Sequence, residues 1–194
     1  LVTIQAANQQ DLDDAYEAAA RAQKVWEATP LIEKQQRFEQ LVAVLQSKRE
    51  LIINWLINEA GGTKLKATSE FNSALRIVKE SASFLTRLTG QILPSYVPNK
   101  ENRVYRTAKG VIGVIGPWNF PFLLSMRSIA PAIATGNGVV IKPASDTPVT
   151  SGLLFGEIFE EAGFPAGLVN VIVGRGSEIG DAFVQHPIPS LISF

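Results

Sequence analysis

Hydrophobic and polar positions change their period along the chain. Up to about Gly90 the pattern is helical. Ala15, Ala18, Ala19, Ala22, Val25 and Trp26 recur at helical spacing, and Asp11 stands where an N-cap is expected. Thr29-Pro30 ends this helix, because the residue before a proline is pushed out of the helical region. A second run carries Phe38, Leu41, Val42 and Leu45 on one side. It is expected to continue through LIINWLINEA and to stop at Gly61-Gly62, since glycine is favoured just past a helix end. A third run carries Phe71, Leu75, Val78, Ala82 and Leu85 and ends at Gly90. Amphipathic helices bury their stripe against something larger, so residues 1–90 read as helical cover.

Residues 91–108 differ. Pro94 and Pro98 exclude helix, and Val104, Arg106 and Ala108 alternate with Arg103, Tyr105 and Thr107 as in a strand of an extended hairpin. Such an arm has no core of its own. It either reaches a neighbouring subunit or is an ordinary edge hairpin.

From residue 109 short β-branched runs alternate with helical ones. VIGVIG, GVVIKP, LVNVIVG and SLISF read as four strands. Between them lie PFLLSMRSIAPAIATG, expected to be interrupted or kinked at Pro131, then TSGLLFGEIFEEAG and SEIGDAFVQ. Ser145-Asp146-Thr147-Pro148 offers caps for the second of these helices. Continuous apolar strands with short connections imply an α/β fold whose parallel sheet is covered on both faces. Right-handed crossovers make it a doubly wound, Rossmann-like sheet.

Composition narrows the chemistry. The 194 residues are 46% hydrophobic and 19% charged, which excludes a disordered chain. Basic and acidic residues balance at 18 each, so no global field gathers nucleic acid or anionic membrane. The longest apolar run, Val111 to Phe122, is broken by Gly113, Gly116 and Pro117 and does not read as a bilayer span. The first residues lack the pattern of a secretory leader, which makes a cytoplasmic location the default expectation. No cysteine is present, which removes disulfides, thiolate metal sites and, within these residues, a thiol nucleophile. The single histidine, His186, reads as an exposed loop residue.

In doubly wound sheets ligands bind beyond the carboxyl ends of the strands, so three loops matter. In Gly116-Pro117-Trp118-Asn119-Phe120-Pro121 two prolines stiffen the turn. Asn119 offers a neutral amide donor, either half of an oxyanion hole or part of a structural Asx turn beside a buried Trp118. Lys142 at the next strand end meets ribose hydroxyls, neutralises a phosphate or is a solvated surface lysine, and Ser145 after it would not repel a ribose 2′-phosphate. Gly174-Arg175-Gly176-Ser177-Glu178-Ile179-Gly180 nearly matches the dinucleotide fingerprint, with its last glycine one residue late.

These residues resemble a known family. GVIGVIGPWNFPF, followed by SIAPAIATGNGVVIKPAS and EEAGFPAGLVNVIVG, is similar to the cofactor-binding region of the NAD(P)-dependent aldehyde dehydrogenases. DLDDAYEAAARAQKVWEA and INEAGGTK extend the resemblance over essentially the whole chain. The resemblance implies oxidation of an aldehyde to an acid, with a cysteine thiolate attacking the carbonyl, hydride passing to the nicotinamide and a glutamate activating water. By motif position Asn119 matches the oxyanion-binding asparagine. Ile115, Gly116, Pro117 and Trp118 match the nicotinamide side, Lys142 the adenosine ribose site, and Ala144 and Ser145 the positions beside it. Gly176 and Gly180 match residues flanking adenine. Serine at 145, where NAD-preferring members often carry glutamate, implies tolerance of NADP. Phe120, Leu123, Leu124 and Arg127 match positions lining the aldehyde tunnel.

The stretch LSMRS resembles the bacterial benzaldehyde and vanillin dehydrogenase branch, which implies an aromatic aldehyde. KPAS with Arg127 also resembles succinate-semialdehyde dehydrogenases, in which that arginine anchors the substrate carboxylate. The hairpin, by the same resemblance, pairs subunits into a homodimer or homotetramer. The family's cysteine, glutamate and Thr-Gly-Ser phosphate turn lie beyond the matched region. The chain therefore reads as the amino-terminal part of a longer enzyme, and a coding sequence running past Phe194 is expected to supply them. The 194 residues alone are expected to reduce no cofactor and to expose an unpaired sheet edge. The competing reading is a truncated, non-catalytic relative that keeps the sheet as a binding module.

Overall fold

The computed structural model describes residues 3–194. Four helices come first: α1 (Gln9–Ala28), α2 (Leu31–Ser47), α3 (Arg49–Asn58) and α4 (Lys64–Arg87). The α1 cap is Asn8, not Asp11: the Asn8 side chain accepts from the Asp11 amide while the Asp11 carboxylate accepts from the Asn8 amide. This reciprocal box satisfies two amides that the first turn leaves open. The second helical run is not continuous. It breaks at Lys48, whose ammonium reaches Glu157 at 2.7 Å and Glu161 at 2.9 Å on a helix far along the chain.

The hairpin is β1 (Gln91–Pro94) against β2 (Glu101–Val104), antiparallel and exposed throughout. The alternation expected out to Ala108 ends at Val104.

The sheet consists of β3 (Val111–Ile115), β4 (Gly138–Lys142), β5 (Val169–Val171) and β6 (Pro189–Ser193). All four are parallel, in the order β5-β4-β3-β6. The connecting helices are α5 (Pro121–Ala134), α6 (Leu154–Glu161) and α7 (Gly176–Gln185). The α/β, doubly wound expectation holds. One sheet face packs α2–α6 around Phe122, Met126, Val139, Ile141 and Phe155. The other packs α1 and α7 around Leu12, Tyr16, Val140 and Phe183. The chain reverses its winding at β3, which pairs with both β4 and β6.

The interruption expected at Pro131 and the exposure expected of His186 do not occur. Pro131 does not interrupt α5, which runs on to Ala134. A proline near the end of a helix removes one amide bond where few turns remain to be lost. His186 is not an exposed loop residue. Its side chain is 10% exposed, stacks on Tyr16 at 4.4 Å and lies 3.4 Å from Asp13, while Nδ1 accepts from the Ile188 amide. Burial of Tyr16, whose hydroxyl donates to the Phe183 carbonyl, drives the phenol's pKa far above its ordinary value. No helix among the described residues is long and apolar enough to cross a membrane.

Candidate functional site

Because the strands are parallel, the loops after β3, β4 and β5 emerge at one end of the sheet. The first two are tied together. The Gly116 amide donates to the Lys142 carbonyl at 2.9 Å. A Cβ at position 116 would sit 2.8 Å from Ser125 Oγ and 3.0 Å from the Ser151 carbonyl, so only glycine lets the loop approach this closely. Ser125 Oγ donates to that same carbonyl at 3.0 Å, which joins α5 to the π-helical turn Val149–Leu153.

The turn Trp118–Phe120 projects outward. Trp118 is 66% exposed, not buried as an Asx-turn reading would have it. Asn119 is exposed, and its Oδ1 accepts from the Phe120 amide at 3.0 Å. Among the described residues its Nδ2 has no partner, so this amide nitrogen is free to donate.

The start of α5 is held from a distance. Phe120 occupies its N-cap and has no side-chain acceptor to offer. Glu70 of α4 supplies one instead: its Oε1 accepts from the Phe122 amide at 2.9 Å and the Leu123 amide at 3.2 Å. The Glu70 side chain is fully buried, and Lys66 lies 3.5 Å from its other oxygen. Burial pushes the Glu70 carboxyl above the usual carboxylate range, against the opposing pull of those amides and of Lys66. Lys66 also stands 4.5 Å over the Phe120 ring.

A second distant carboxylate holds the π-helical turn. Glu59 accepts from the Val149 amide at 2.9 Å, the Thr150 amide at 2.7 Å and the Thr150 hydroxyl at 2.5 Å. It takes the capping role that residues 145–148 were expected to fill. The sequence reading missed both glutamates. Their signal was present for Glu70, which lies within the buried stripe Ala67, Phe71, Ala74. An acid on the apolar face of a helix implies a partner across the interface.

Lys142 is buried, unlike a surface lysine, and its Nζ has only a 3.4 Å contact to the Pro143 carbonyl. Desolvation lowers its pKa, whereas two glutamates raise that of Lys48. Among the described residues no acid answers Lys142. A buried ammonium with unmet donors fits a ligand rich in hydroxyl oxygens. Beside it the Ala144 amide donates to Ser151 Oγ at 3.1 Å, and Ser145 is exposed. At Gly176 and Gly180 an added Cβ would meet nothing within 4 Å, so protein packing does not demand glycine there.

A cleft of about 690 Å³ runs between α5 and the β3–β6 edge. Ile115, Pro117, Asn119, Leu124 and Arg127 line it, with Leu191 of β6 opposite. Four expected residues do not: Gly116 is buried against Ser125 and Ser151, Trp118 and Phe120 are exposed on the turn, and Leu123 packs toward the large core. Lys142, Ala144, Ser145, Gly176 and Gly180 belong to the neighbouring loops and also lie outside this cleft.

The sequence model of the aldehyde dehydrogenase family matches residues 1–194. The chain belongs to this family. A vanillin dehydrogenase of Corynebacterium glutamicum is 58% identical over 95% of this chain, which covers 38% of that relative. The benzaldehyde dehydrogenase YfmT of Bacillus subtilis is 50% identical over 99% of the chain and is itself covered to 40%. The crystal structure of an NAD-dependent benzaldehyde dehydrogenase from Corynebacterium glutamicum superposes with a TM-score of 0.97 at 56% identity. It accounts for 100% of this chain and is covered to 42%. The chain thus spans about 40% of the length of the curated relatives it matches.

Proposed function

We propose that this chain is the cofactor-binding part of an NAD(P)-dependent dehydrogenase that oxidises an aromatic aldehyde to its carboxylic acid. One observation carries the reading: a buried, unanswered Lys142 and an Asn119 with a free amide nitrogen stand on adjacent, mutually bonded loops at one sheet end. The first suits a ribose, the second a developing alkoxide.

The nicotinamide cofactor, when bound, supplies the hydride acceptor. Lys142 then donates to the adenosine ribose hydroxyls, with Ala144 and Ser145 beside it. A neutral Ser145 leaves a 2′-phosphate unopposed, so both NAD and NADP are accommodated. Gly176 and Gly180 leave room for adenine. Ile115, Gly116, Pro117 and Trp118 border the nicotinamide side. Asn119 Nδ2 donates to the aldehyde oxygen as it gains negative charge. Phe120, Leu123, Leu124 and Arg127 form the chain's share of the aldehyde passage. The thiol and the base come from residues outside these 194, which contain no cysteine. The exposed hairpin β1–β2, carrying Ile92, Val97 and Tyr105 at its surface, serves subunit pairing.

The names of the two relatives support an aromatic substrate. Arg127 supports a second reading, succinic semialdehyde, because it lines the cleft with no acid paired to it among the described residues. Steady-state rates of the whole protein on benzaldehyde and succinic semialdehyde separate them. A kcat/KM at least about tenfold higher for benzaldehyde is expected, the scale of discrimination that an apolar pocket supplies. A preference for succinic semialdehyde that Arg127→Ala abolishes overturns the aromatic reading.

A further inference from the structure

We propose that Glu70 is a positioning residue for Asn119, acting from α4 through the backbone of residues 120–123, with Lys66 as its companion. The proposal rests on the reading of Asn119 as the oxyanion donor.

Every amide from Phe120 to Leu123 is accounted for by a side-chain oxygen. Phe120 donates to Asn119 Oδ1, Pro121 has no N–H, and Phe122 and Leu123 share Glu70 Oε1. Lys66 spans the two parts, 3.5 Å from the second Glu70 oxygen and 4.5 Å from the Phe120 ring centre. Two side chains one turn apart on α4 therefore grip the residues that immediately follow Asn119.

This arrangement has two chemical results. The start of α5 is closed to any other anion, because its open amides are spent on Glu70. A substrate oxygen gaining charge near the turn therefore cannot draw on the Phe122 and Leu123 amides, whereas Asn119 Nδ2 remains open to it. The placement of Nδ2 in turn depends on where Phe120 is held, since Oδ1 is fastened to that residue.

Capping alone does not account for a fully buried carboxylate. Serine or asparagine at position 120 would cap α5 without burying a charge, and a buried ion pair adds little net stability once desolvation is counted. A carboxylate fixed between two helices instead defines where one helix begins relative to the other. That is the precision an oxyanion donor needs.

A double-mutant cycle in the whole protein tests this, read as the single-turnover rate of cofactor reduction with benzaldehyde and NAD. Asn119→Ala should slow the step about a hundred- to a thousandfold. Glu70→Gln keeps the shape and one acceptor, and should slow it about tenfold with little change in KM, the scale of a small misplacement. In the Asn119→Ala background Glu70→Gln should cost nothing further, because its effect passes through Asn119. Lys66→Met, which leaves the cap itself in place, should show a smaller loss that also vanishes in that background, and it carries the test if Glu70→Gln does not fold. A full rate for Glu70→Gln, or losses that multiply in the double variant, overturns the proposal. Slow Asn119→Ala with fast Glu70→Gln removes this inference alone, whereas a full rate for Asn119→Ala removes the oxyanion reading as well.

Discussion

Replacing Asn119 by alanine should reduce the rate of hydride transfer by about a hundred- to a thousandfold, while cofactor affinity stays near its original value. That is the range lost when one preorganised donor to a developing oxyanion is removed. The geometry explains why the loss should fall on the rate. Asn119 contributes its Oδ1 to the turn and leaves Nδ2 unspent, so the free donor is available to the charge that appears only as the carbonyl is attacked. Lys142 sits on the neighbouring loop and is untouched by the substitution. Rapid-mixing measurement of reduced-cofactor formation, paired with a binding titration of NAD, checks both halves. A variant that loses cofactor affinity and keeps its single-turnover rate would show that Asn119 serves the turn and not the reaction.

The largest loss of stability is expected at Trp26. Its ring is 1% exposed and packs 5.2 Å from Phe164, which itself meets Phe38 at 5.7 Å and Phe159 at 5.0 Å. Trp26 Nε1 donates to the Ile133 carbonyl at 2.8 Å, in the last turn of α5, beside the Gly136 amide that bonds the same oxygen at 3.0 Å. One side chain thus joins α1, α2, α5 and the turn after α6. Trp26→Ala should cost about 3–5 kcal/mol, the usual range for emptying a buried aromatic site. Denaturant unfolding should show the midpoint falling with little change in slope. Trp26→Phe should retain much of the packing and lose the hydrogen bond. A cost below about 1 kcal/mol for alanine would mean that the aromatic cluster closes over the gap.

The parts of this molecule that were legible in its sequence are those set by local pattern. The β-branched runs around Ile112 and Val140, the apolar stripe of α4 and the glycine after α6 each carry their signal within a few residues. The turn Pro117–Pro121 was legible in the same way, since its stiffness lies in its own prolines. What escaped notice depends on residues far apart. Lys48 looks like any helix-surface lysine until Glu157 and Glu161 come within reach, and only then does the break between α2 and α3 have a cause. Glu59 and Glu70 cap structures that follow them by 90 and 52 residues, a distance that no spacing rule covers. His186 shows the same limit, because its burial depends on Tyr16 at the opposite end of the chain. Asn8 is different: its box with Asp11 follows a local rule, and the acid at the third position was misread as the cap itself.

The position of α1 has a consequence for how the polypeptide is made. Leu12, Tyr16 and Ala19 rest on a sheet surface that includes Val111, Val140 and Ile172. A ribosome releases α1 long before it has translated that seat. At about 5–20 residues per second, the interval between Ala28 and Val171 is on the order of ten seconds. Through that time the apolar stripe of the first helix has nowhere native to go. Helices α2, α3 and α4 can pair with one another as they emerge, whereas α1 must wait for strands more than eighty positions downstream. Contacts this remote slow the search for the native state and leave the nascent chain adhesive. Helix α1 is therefore expected to lock after α2, α3 and α4, and chaperone demand should concentrate on the sheet face that it eventually covers.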